Sequence, residues 1–197
     1  MSERNPILLI HGLNDTTKVF KQMSVYLTNL GWTVHSINLT PNNGTTRLEN
    51  LANQVSSYIE ETFPTEQPID LVGFSMGGIV TRYYLQRLGG VERVQRYISI
   101  SAPNNGTFAA YGLNLPGIVQ MRPNSSFLQE LNRDAVEILS KLKMTVMWTP
   151  FDLMILPAQS SQISLGLGKE LKAPVLLHPW MLSDRRILAA VAGALSD

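Results

Sequence analysis

Ser75 stands in the segment Gly73-Phe74-Ser75-Met76-Gly77-Gly78, which follows an apolar run and precedes a predicted helix. A glycine two residues before a serine and another two residues after it are typical of the sharp strand-to-helix turn that exposes a nucleophilic hydroxyl above a sheet. Side chains at those two positions would collide with the neighbouring strand or helix. The pattern therefore marks Ser75 as a candidate nucleophile. The alternative is a glycine-rich turn in which the serine has no chemical role.

A serine hydroxyl becomes a good nucleophile only when a base removes its proton, and histidine commonly serves as that base. The chain has three histidines, His11, His35 and His178, and only His178 follows Ser75. In proteins that carry their nucleophile on a turn of this type, the nucleophile, the acid and the base follow one another in that order along the chain. His178 directly follows the apolar run 175–177. This run predicts a strand, which would bring His178 to the same edge of the sheet as Ser75. We therefore predict that His178 is the base; the alternative is a histidine of a surface loop.

The base needs a carboxylate that holds its ring in the reactive orientation and stabilises its charged form. Asp152 follows the apolar run 144–150, at the predicted exit of the strand before the one that carries His178. We predict that Asp152 is this acid, with Glu170 as the reserve; the alternative is that Asp152 caps a loop. The remaining acids between the nucleophile and the base stand on predicted polar helix faces or before a strand: Glu92, Glu130, Asp134 and Glu137.

Two backbone N–H groups are expected to bind the negatively charged oxygen that forms during attack on an acyl group. One belongs to Met76, the residue after the predicted nucleophile, at the start of a helix whose dipole favours negative charge there. The other belongs to Leu13, because Gly12 allows the loop after the first predicted strand to approach the nucleophile closely. His11 is expected to shape this loop, whereas His35 lies within an alternating strand and is predicted to be non-catalytic.

The elements that would position these residues alternate between apolar runs and amphipathic stretches along the whole chain. Short apolar or alternating runs predict about six strands, and apolar positions three or four residues apart predict helices between them. Such an alternation indicates an α/β fold with a mostly parallel sheet and helices on both faces. The predicted strands are 6–10, 32–39, 69–74, 94–101, 143–148 and 174–177, and the main predicted helices are 19–30 (capped by Asp15), 48–63, 76–88 and 183–195.

The 197 residues fit one domain. One long interval, 103–142, separates two predicted strands; its first part is rich in asparagine, glycine and proline, and its second part contains helical pieces. An insertion of this length in a compact fold is more often functional than accidental. We therefore predict a single α/β domain over residues 1–197, in which 103–142 forms a short cap-like insertion.

Composition excludes several classes of protein. Lysine and arginine number 16 against 15 acidic residues, a net charge of +1 that argues against a nucleic-acid-binding surface. The absence of cysteine excludes disulfides, cysteine zinc sites and thiol catalysis. No apolar segment is long enough to span a membrane, and the first five residues do not have the pattern of a signal peptide. The expectation is a soluble, cytoplasmic protein.

Together these residues resemble the α/β-hydrolases, and in particular the small bacterial lipases and esterases of that fold. The resemblance covers nearly the whole chain and rests on the segments 11–13, 73–78, 101–107 and 120–128, with Asp152 and His178. It implies hydrolysis of carboxylic esters through an acyl-enzyme, in a minimal, lidless member that lacks the first two strands of the full fold. The calcium-ligand pattern of the larger bacterial lipases is not recognisable, so neither a metal nor a cofactor is predicted.

Apolar residues surround the predicted catalytic groups in the sequence and indicate an open groove for an acyl chain. The candidates for substrate contact are Tyr111, Leu115, Ile118, Met154 and Trp180. The predicted substrate is a small-molecule acyl ester or a lipid, with transient contact to a lipid surface; the alternative is that most of these side chains belong to the core. Two other classes of function stay open. One is a thioesterase or another non-lipid acyl hydrolase or acyltransferase, and the other is a ligand-binding scaffold without turnover.

Overall fold

The computed structural model of the protein describes residues 4–163 and 167–197. Within these ranges six parallel strands form one sheet in the order β2-β1-β3-β4-β5-β6. The strands are β1 (Ile7–Ile10), β2 (Val34–Ile37), β3 (Ile69–Phe74), β4 (Val94–Ile100), β5 (Lys143–Trp148) and β6 (Lys169–Lys172).

Helices connect these strands and cover both faces of the sheet. The α-helices of the described residues are α1 (Lys21–Asn29), α2 (Leu48–Thr62), α3 (Met76–Arg87), α4 (Pro116–Gln120), α5 (Ser126–Arg133), α6 (Ala135–Leu139) and α7 (Arg185–Ser196). Short 3₁₀-helices cover Thr17–Phe20, Gly90–Glu92, Phe108–Gly112, Ala158–Ser161 and His178–Leu182. In ranges 4–163 and 167–197 no helix combines the length and the apolar character needed to cross a membrane.

Side chains on β1 alternate between the two faces of the sheet, as the pleat of a strand requires. Leu8 and Ile10 are fully buried in the apolar cluster that includes α2 and α3. Ile7 and Leu9 are fully buried in a second cluster, which includes α1 and α7. Because helices cover both faces, β1 and β3 are buried at every position, as expected for inner strands of a parallel sheet.

A crevice between β1 and β3 positions the candidate site. The chain leaves β1 towards α1 on one face of the sheet, and it leaves β3 towards α3 on the other. Connections that diverge in this way open a crevice at the carboxyl ends of the strands, where open α/β sheets bind ligands. Gly12 and Ser75 meet there, because a Cβ atom placed on Gly12 would lie 3.0 Å from the Cβ atom of Ser75.

The predicted α/β fold with a six-stranded parallel sheet is confirmed, but the last predicted strand, 174–177, is wrong. The sixth strand is Lys169–Lys172, an edge strand whose charged side chains give it no apolar pattern. Leu176 and Leu177 do not belong to the sheet but border the cleft described below. As a result, His178 does not end a strand and instead begins a 3₁₀-helix.

The prediction that Asp15 caps the first helix is also wrong. The chain enters the 3₁₀-helix Thr17–Phe20 before α1, and the residue at its cap position is Thr16, whose side chain makes no capping hydrogen bond. Asp15 lies instead beside Gly12, with its Oδ2 atom 3.1 Å from the point that a Cβ atom on this glycine would occupy. The loop after β1 thus turns its acid towards the crevice.

The interval 103–142 has two structurally different parts. The first contains the 3₁₀-helix Phe108–Gly112 and α4, and several of its side chains border the cleft. The second contains α5 and α6, whose apolar side chains join the core on the α3 side of the sheet. Arg82 of α3 is fully buried and ties both parts together, because its guanidinium donates to Asn104 Oδ1 at 3.3 Å and to the carbonyl oxygen of Leu131 at 3.1 Å. A cap-like role for 103–142 within a single domain remains our proposal.

Candidate active site

Ser75 occupies a strained turn between β3 and α3. Its φ of 54° and ψ of −128° lie in a region that residues other than glycine rarely adopt. Hydrogen bonds hold the turn from both sides: the Ser75 N–H donates to the carbonyl oxygen of Ile100 at 2.9 Å, and the Ser75 carbonyl accepts from the Gly78 N–H at 2.9 Å. Strained backbone of this kind persists where the surrounding structure fixes it, as at functional sites.

The glycines around Ser75 allow three backbone segments to approach one another. A Cβ atom on Gly77 would lie 2.5 Å from the carbonyl oxygen of His11, and it would also strike that of Ile10. A Cβ atom on Gly73 would lie 2.6 Å from Thr81 Oγ1. Glycine at position 77 therefore permits α3 to begin directly against the end of β1. Glycine at position 73 permits the end of β3 to lie close to α3.

Asp152 and His178 form a buried pair beside the turn. The Nδ1 atom of His178 lies 2.7 Å from Asp152 Oδ2, and the two residues are 8% and 3% exposed. The other carboxylate oxygen, Oδ1, accepts from the backbone N–H groups of Met154 at 2.9 Å and Ile155 at 3.0 Å. Both oxygens of the carboxylate are thus hydrogen-bonded, and the carboxylate fixes the orientation of the imidazole ring.

The loop after β1 is held by His11, which is fully buried. Its Nε2 atom accepts from the Leu39 N–H at 3.0 Å, so the proton belongs on Nδ1, which lies 2.9 Å from the carbonyl oxygen of Gly12. A trans peptide directs its C=O and N–H in opposite directions. By holding the Gly12 carbonyl, His11 therefore turns the Leu13 N–H away from itself.

Leu13 and Met76, the two predicted oxyanion-binding residues, both border the same cleft as Ser75. Among the hydrogen bonds of the described residues, neither backbone N–H donates to another group of the protein. Met76 is the first residue of α3, where N–H groups have no partner within the helix and the dipole is positive. Both N–H groups therefore remain candidates for binding a negatively charged oxygen.

Ser75 and His178 open into one cleft with a volume of about 1030 Å³. Its walls are mainly apolar and include Ala109, Leu113, Ile118, Met121, Leu153, Met154, Leu176 and Leu182. Of the five residues predicted to contact substrate, Ile118 and Met154 border this cleft. The structure places Leu115 against the core instead, and it places Tyr111 and Trp180, which are 57% and 51% exposed, outside the cleft walls.

Asp15 borders the cleft and was missed as a candidate for the site. Burial raises the pKa of its carboxyl group, and a hydrogen bond from the Gly12 backbone opposes this effect. The only signal in the sequence is that Asp15 follows the predicted oxyanion-binding residue by two positions. That spacing also fits a helix cap, so it does not by itself identify a group of the site.

Other candidate groups lie elsewhere. Glu170, the reserve acid, accepts from the indole N–H of Trp148 at 2.7 Å and from Gln162 at 2.8 Å. His35 lies 3.4 Å from the Tyr58 hydroxyl through its Nδ1 atom and does not border the cleft. In the part of the chain that the structure describes, no three or more histidine, aspartate or glutamate side chains are grouped so that they could hold a metal ion.

The parallel sheet, the covering helices and the sharp turn at Ser75 define an α/β-hydrolase. A family model described as palmitoyl protein thioesterase matches residues 6–151, which is more than half of the chain, and the chain therefore belongs to this family. The predicted class, a carboxylic ester hydrolase, is confirmed at this level. Ser75 and the loop after β1 lie within the matched residues, whereas Asp152 and His178 follow them.

Solved structures with the same fold include lipases and a thioesterase. The mature form of a lipase from Bacillus licheniformis gives a TM-score of 0.77 at 16% identity, over 99% of this chain and 93% of the lipase. Lipase B from Aspergillus fumigatus gives a TM-score of 0.80 at 18% identity, over 98% of this chain and 53% of the lipase chain. The thioesterase domain from the curacin biosynthetic pathway gives 0.69 at 15% identity, over 99% of this chain and 92% of the domain. At these identities the likeness shows the fold alone.

Proposed function

We propose that the protein hydrolyses carboxylic esters of lipids through an acyl-enzyme formed on Ser75. The observation that supports this most directly is that a serine on a strained turn and a histidine paired with a buried aspartate open into one apolar cleft. In this proposal Ser75 is the nucleophile, His178 is the general base and acid, and Asp152 holds the imidazole ring and stabilises its charged form.

Acylation begins when His178 Nε2 takes the proton of the Ser75 hydroxyl and Oγ attacks the carbonyl carbon of the ester. The carbonyl oxygen becomes negatively charged and is bound by the N–H groups of Leu13 and Met76. Asp152 stabilises the imidazolium that forms at the same time. The bond between the carbonyl carbon and the alcohol oxygen then breaks, and the proton passes from His178 to the departing alcohol.

Deacylation repeats these steps with water. His178 takes a proton from the water molecule as its oxygen attacks the acyl carbon. The bond between Ser75 Oγ and that carbon then breaks, and Oγ regains its proton from His178. The products are the free enzyme and a carboxylic acid, which loses its proton to solvent at neutral pH.

The cleft supports a lipid acyl group as the substrate. A volume of about 1030 Å³ with mainly aliphatic walls suits an alkyl chain, since apolar surface buried there leaves water. Large side chains at the cleft border are well exposed, with Leu113 at 57%, Leu153 at 71% and Leu176 at 61%. A border of this kind fits transient contact with a lipid aggregate, as we also propose.

Thioester hydrolysis is the second candidate, and membership of the palmitoyl protein thioesterase family favours it. The same nucleophile, base and oxyanion-binding groups would serve, because the attacked carbonyl carbon carries sulphur in place of oxygen. A pair of substrates with one acyl chain, an oxygen ester and its thioester, separates the two by their kcat/KM values. A higher kcat/KM for the thioester than for the oxygen ester would favour thioester hydrolysis over ester hydrolysis as the function.

Two measurements test the proposal. A fluorophosphonate probe should label the wild-type protein, and Ser75→Ala should abolish both labelling and turnover, with a loss of about 10⁶-fold in kcat. Ser57→Ala, a change at an exposed position of α2, is the matched control and should leave both intact. Absence of labelling in the wild type would favour a ligand-binding scaffold. With nitrophenyl esters of increasing length, activity confined to acetate and butyrate would exclude a lipid acyl chain as substrate.

A further inference from the structure

Asp15 places a carboxylate next to the candidate nucleophile. Its Oδ2 atom and the Ser75 Oγ atom lie 3.1 and 3.4 Å from one point, the position that a Cβ atom on Gly12 would take. Both residues border the cleft together with His178 and the two oxyanion-binding residues. A negative charge on Asp15 therefore acts on a charged group that is bound beside the Ser75 hydroxyl.

Hydrogen bonds fix the backbone that carries this carboxylate. The side-chain amide of Asn42 donates to the carbonyl oxygen of Asp15 at 2.6 Å, and the Asn14 N–H donates to the carbonyl oxygen of Asn42 at 3.0 Å. Asn14 adopts a φ of 56°, a conformation that asparagine tolerates better than most residues. The loop thus holds Asp15 at the cleft although the residue caps no helix.

No basic side chain of the described residues forms an ion pair with Asp15. Lys18 and Lys21 border the same cleft, but both are exposed to solvent, which screens their charges. His178, which borders the same cleft, is paired with Asp152 instead. The half-buried carboxylate of Asp15 therefore has no ion-pair partner among the side chains of the described residues.

Such a charge affects the steps of hydrolysis unequally. In the tetrahedral intermediate an oxyanion and the His178 imidazolium are present together, so that repulsion of the first by Asp15 is offset by attraction of the second. The ester substrate is neutral and is little affected. The carboxylic acid product ionises after His178 has returned its proton to Ser75, and this carboxylate faces Asp15 without a compensating cation.

We infer that Asp15 determines specificity by charge: it lowers the affinity of the cleft for carboxylates, so that the ionised product leaves while neutral esters bind. The inference rests on the proposed function of Ser75. Two unit charges about 6 Å apart at a partly exposed site change an equilibrium constant by about 10–100-fold. The same charge should disfavour esters that carry an anionic group beside the scissile carbonyl.

The test compares octanoate with octanamide, which has nearly the same shape but no charge. Dissociation constants are measured at pH 8 by ligand-observed NMR titration of the wild-type protein and of Asp15→Asn. We expect the variant to bind octanoate about 10–100-fold more tightly, and octanamide within about twofold of the wild type. Asp15→Ser, a second neutral variant, should behave in the same way, and Asp15→Glu should retain discrimination.

Lys18→Gln is the matched control, because it removes a charge of opposite sign from the border of the cleft and should weaken octanoate binding slightly. An equal effect of Asp15→Asn on both ligands, or no effect on either, would overturn the inference. These titrations need no turnover, and they separate the two proposals. A protein that fluorophosphonate does not label contradicts the proposed function, whereas a labelled protein with an unchanged octanoate-to-octanamide ratio contradicts only the role of Asp15.

Discussion

The imidazole ring of His178 packs against the phenyl ring of Phe74, with the ring centroids 4.8 Å apart and the planes inclined by 37°. Phe74 is the last residue of β3 and directly precedes Ser75. The strand that carries the candidate nucleophile therefore also supports the candidate base. With Asp152 bound at Nδ1, this contact fixes the ring on a second side, and Nε2 is the atom to which our proposal assigns proton transfer.

Replacing Asp152 by asparagine should lower kcat by about 10⁴-fold, because an amide cannot stabilise the imidazolium and favours the wrong tautomer of His178. Steady-state kinetics with a nitrophenyl ester measures the loss, and circular dichroism checks the fold. Glu170→Gln is the control: Glu170 bonds Trp148 rather than the imidazole, so activity should change by less than about threefold. A larger loss in Glu170→Gln than in Asp152→Asn would assign the acid to the other residue.

Replacing His11 by leucine should affect turnover although His11 does not contact the substrate. The change leaves the Leu39 N–H without its buried acceptor and releases the Gly12 carbonyl, which costs about 1–3 kcal/mol of stability. As the Leu13 N–H loses its orientation, we expect kcat to fall about 10–100-fold with a smaller change in KM. A rise in KM at constant kcat would contradict this positioning role. His35→Gln serves as the control and should leave kcat unchanged.

A methyl group at Gly77 should be poorly tolerated. The new Cβ atom would strike the carbonyl oxygens of Ile10 and His11, which are backbone atoms and cannot rotate away. We expect Gly77→Ala to lower the free energy of unfolding by about 3 kcal/mol or more, measured by urea denaturation. Gly193→Ala in α7, where nothing lies within 4 Å of the added atom, should instead raise it by about 0.5–1 kcal/mol. Equal effects of the two substitutions would contradict the close approach at the turn.

Asp184 should make stability depend on pH at the start of α7. Its side chain accepts from the Arg186 N–H at 2.9 Å, and hydrogen bonding to the Arg186 side chain is the main cause that lowers the pKa of this carboxyl from 3.8 to about 2. Because the folded pKa lies below the unfolded one, the stabilisation is complete well above pH 3.8 and is lost as the pH falls towards 2. Asp184→Ala should cost about 1 kcal/mol at pH 6.

Chemical denaturation between pH 6 and pH 2 checks this dependence. The difference in unfolding free energy between the wild type and Asp184→Ala should shrink as the pH falls. Asp184→Asn keeps an acceptor for the backbone N–H but does not titrate, so its difference from Asp184→Ala should stay constant. If the difference in unfolding free energy between the wild type and Asp184→Ala is also constant between pH 6 and pH 2, the charge of Asp184 contributes nothing to stability.

The sequence was sufficient for the inner strands and the turn at Ser75, because both depend on local patterns. Strands buried on two faces read as apolar runs, and β5 therefore begins and ends where its residues predict. The edge strand Lys169–Lys172 could not be predicted in this way, since its exposed and charged side chains form no apolar run. The apolar residues 174–177 were mistaken for it because a cleft border and a buried strand have similar compositions.

The pairing of groups in the site depended on tertiary contacts that spacing alone does not specify. Asp152 could be preferred over Glu170 from its place after a strand, and the structure brings it to the imidazole ring. The position of Asp15 could not be predicted in this way, because a helix cap and an acid at the cleft have the same local sequence. Similarly, the composition of the border predicted an apolar groove but not which apolar side chains enter it.

Strand β6 has a consequence for encounters between molecules. An open sheet edge offers unpaired N–H and C=O groups to any other extended chain, and it invites aggregation. Here Lys169 and Lys172 occupy the two ends of that edge and are largely exposed. Charged side chains on an exposed edge strand disfavour its pairing with another extended chain, so the residues of β6 work against growth of the sheet beyond its sixth strand.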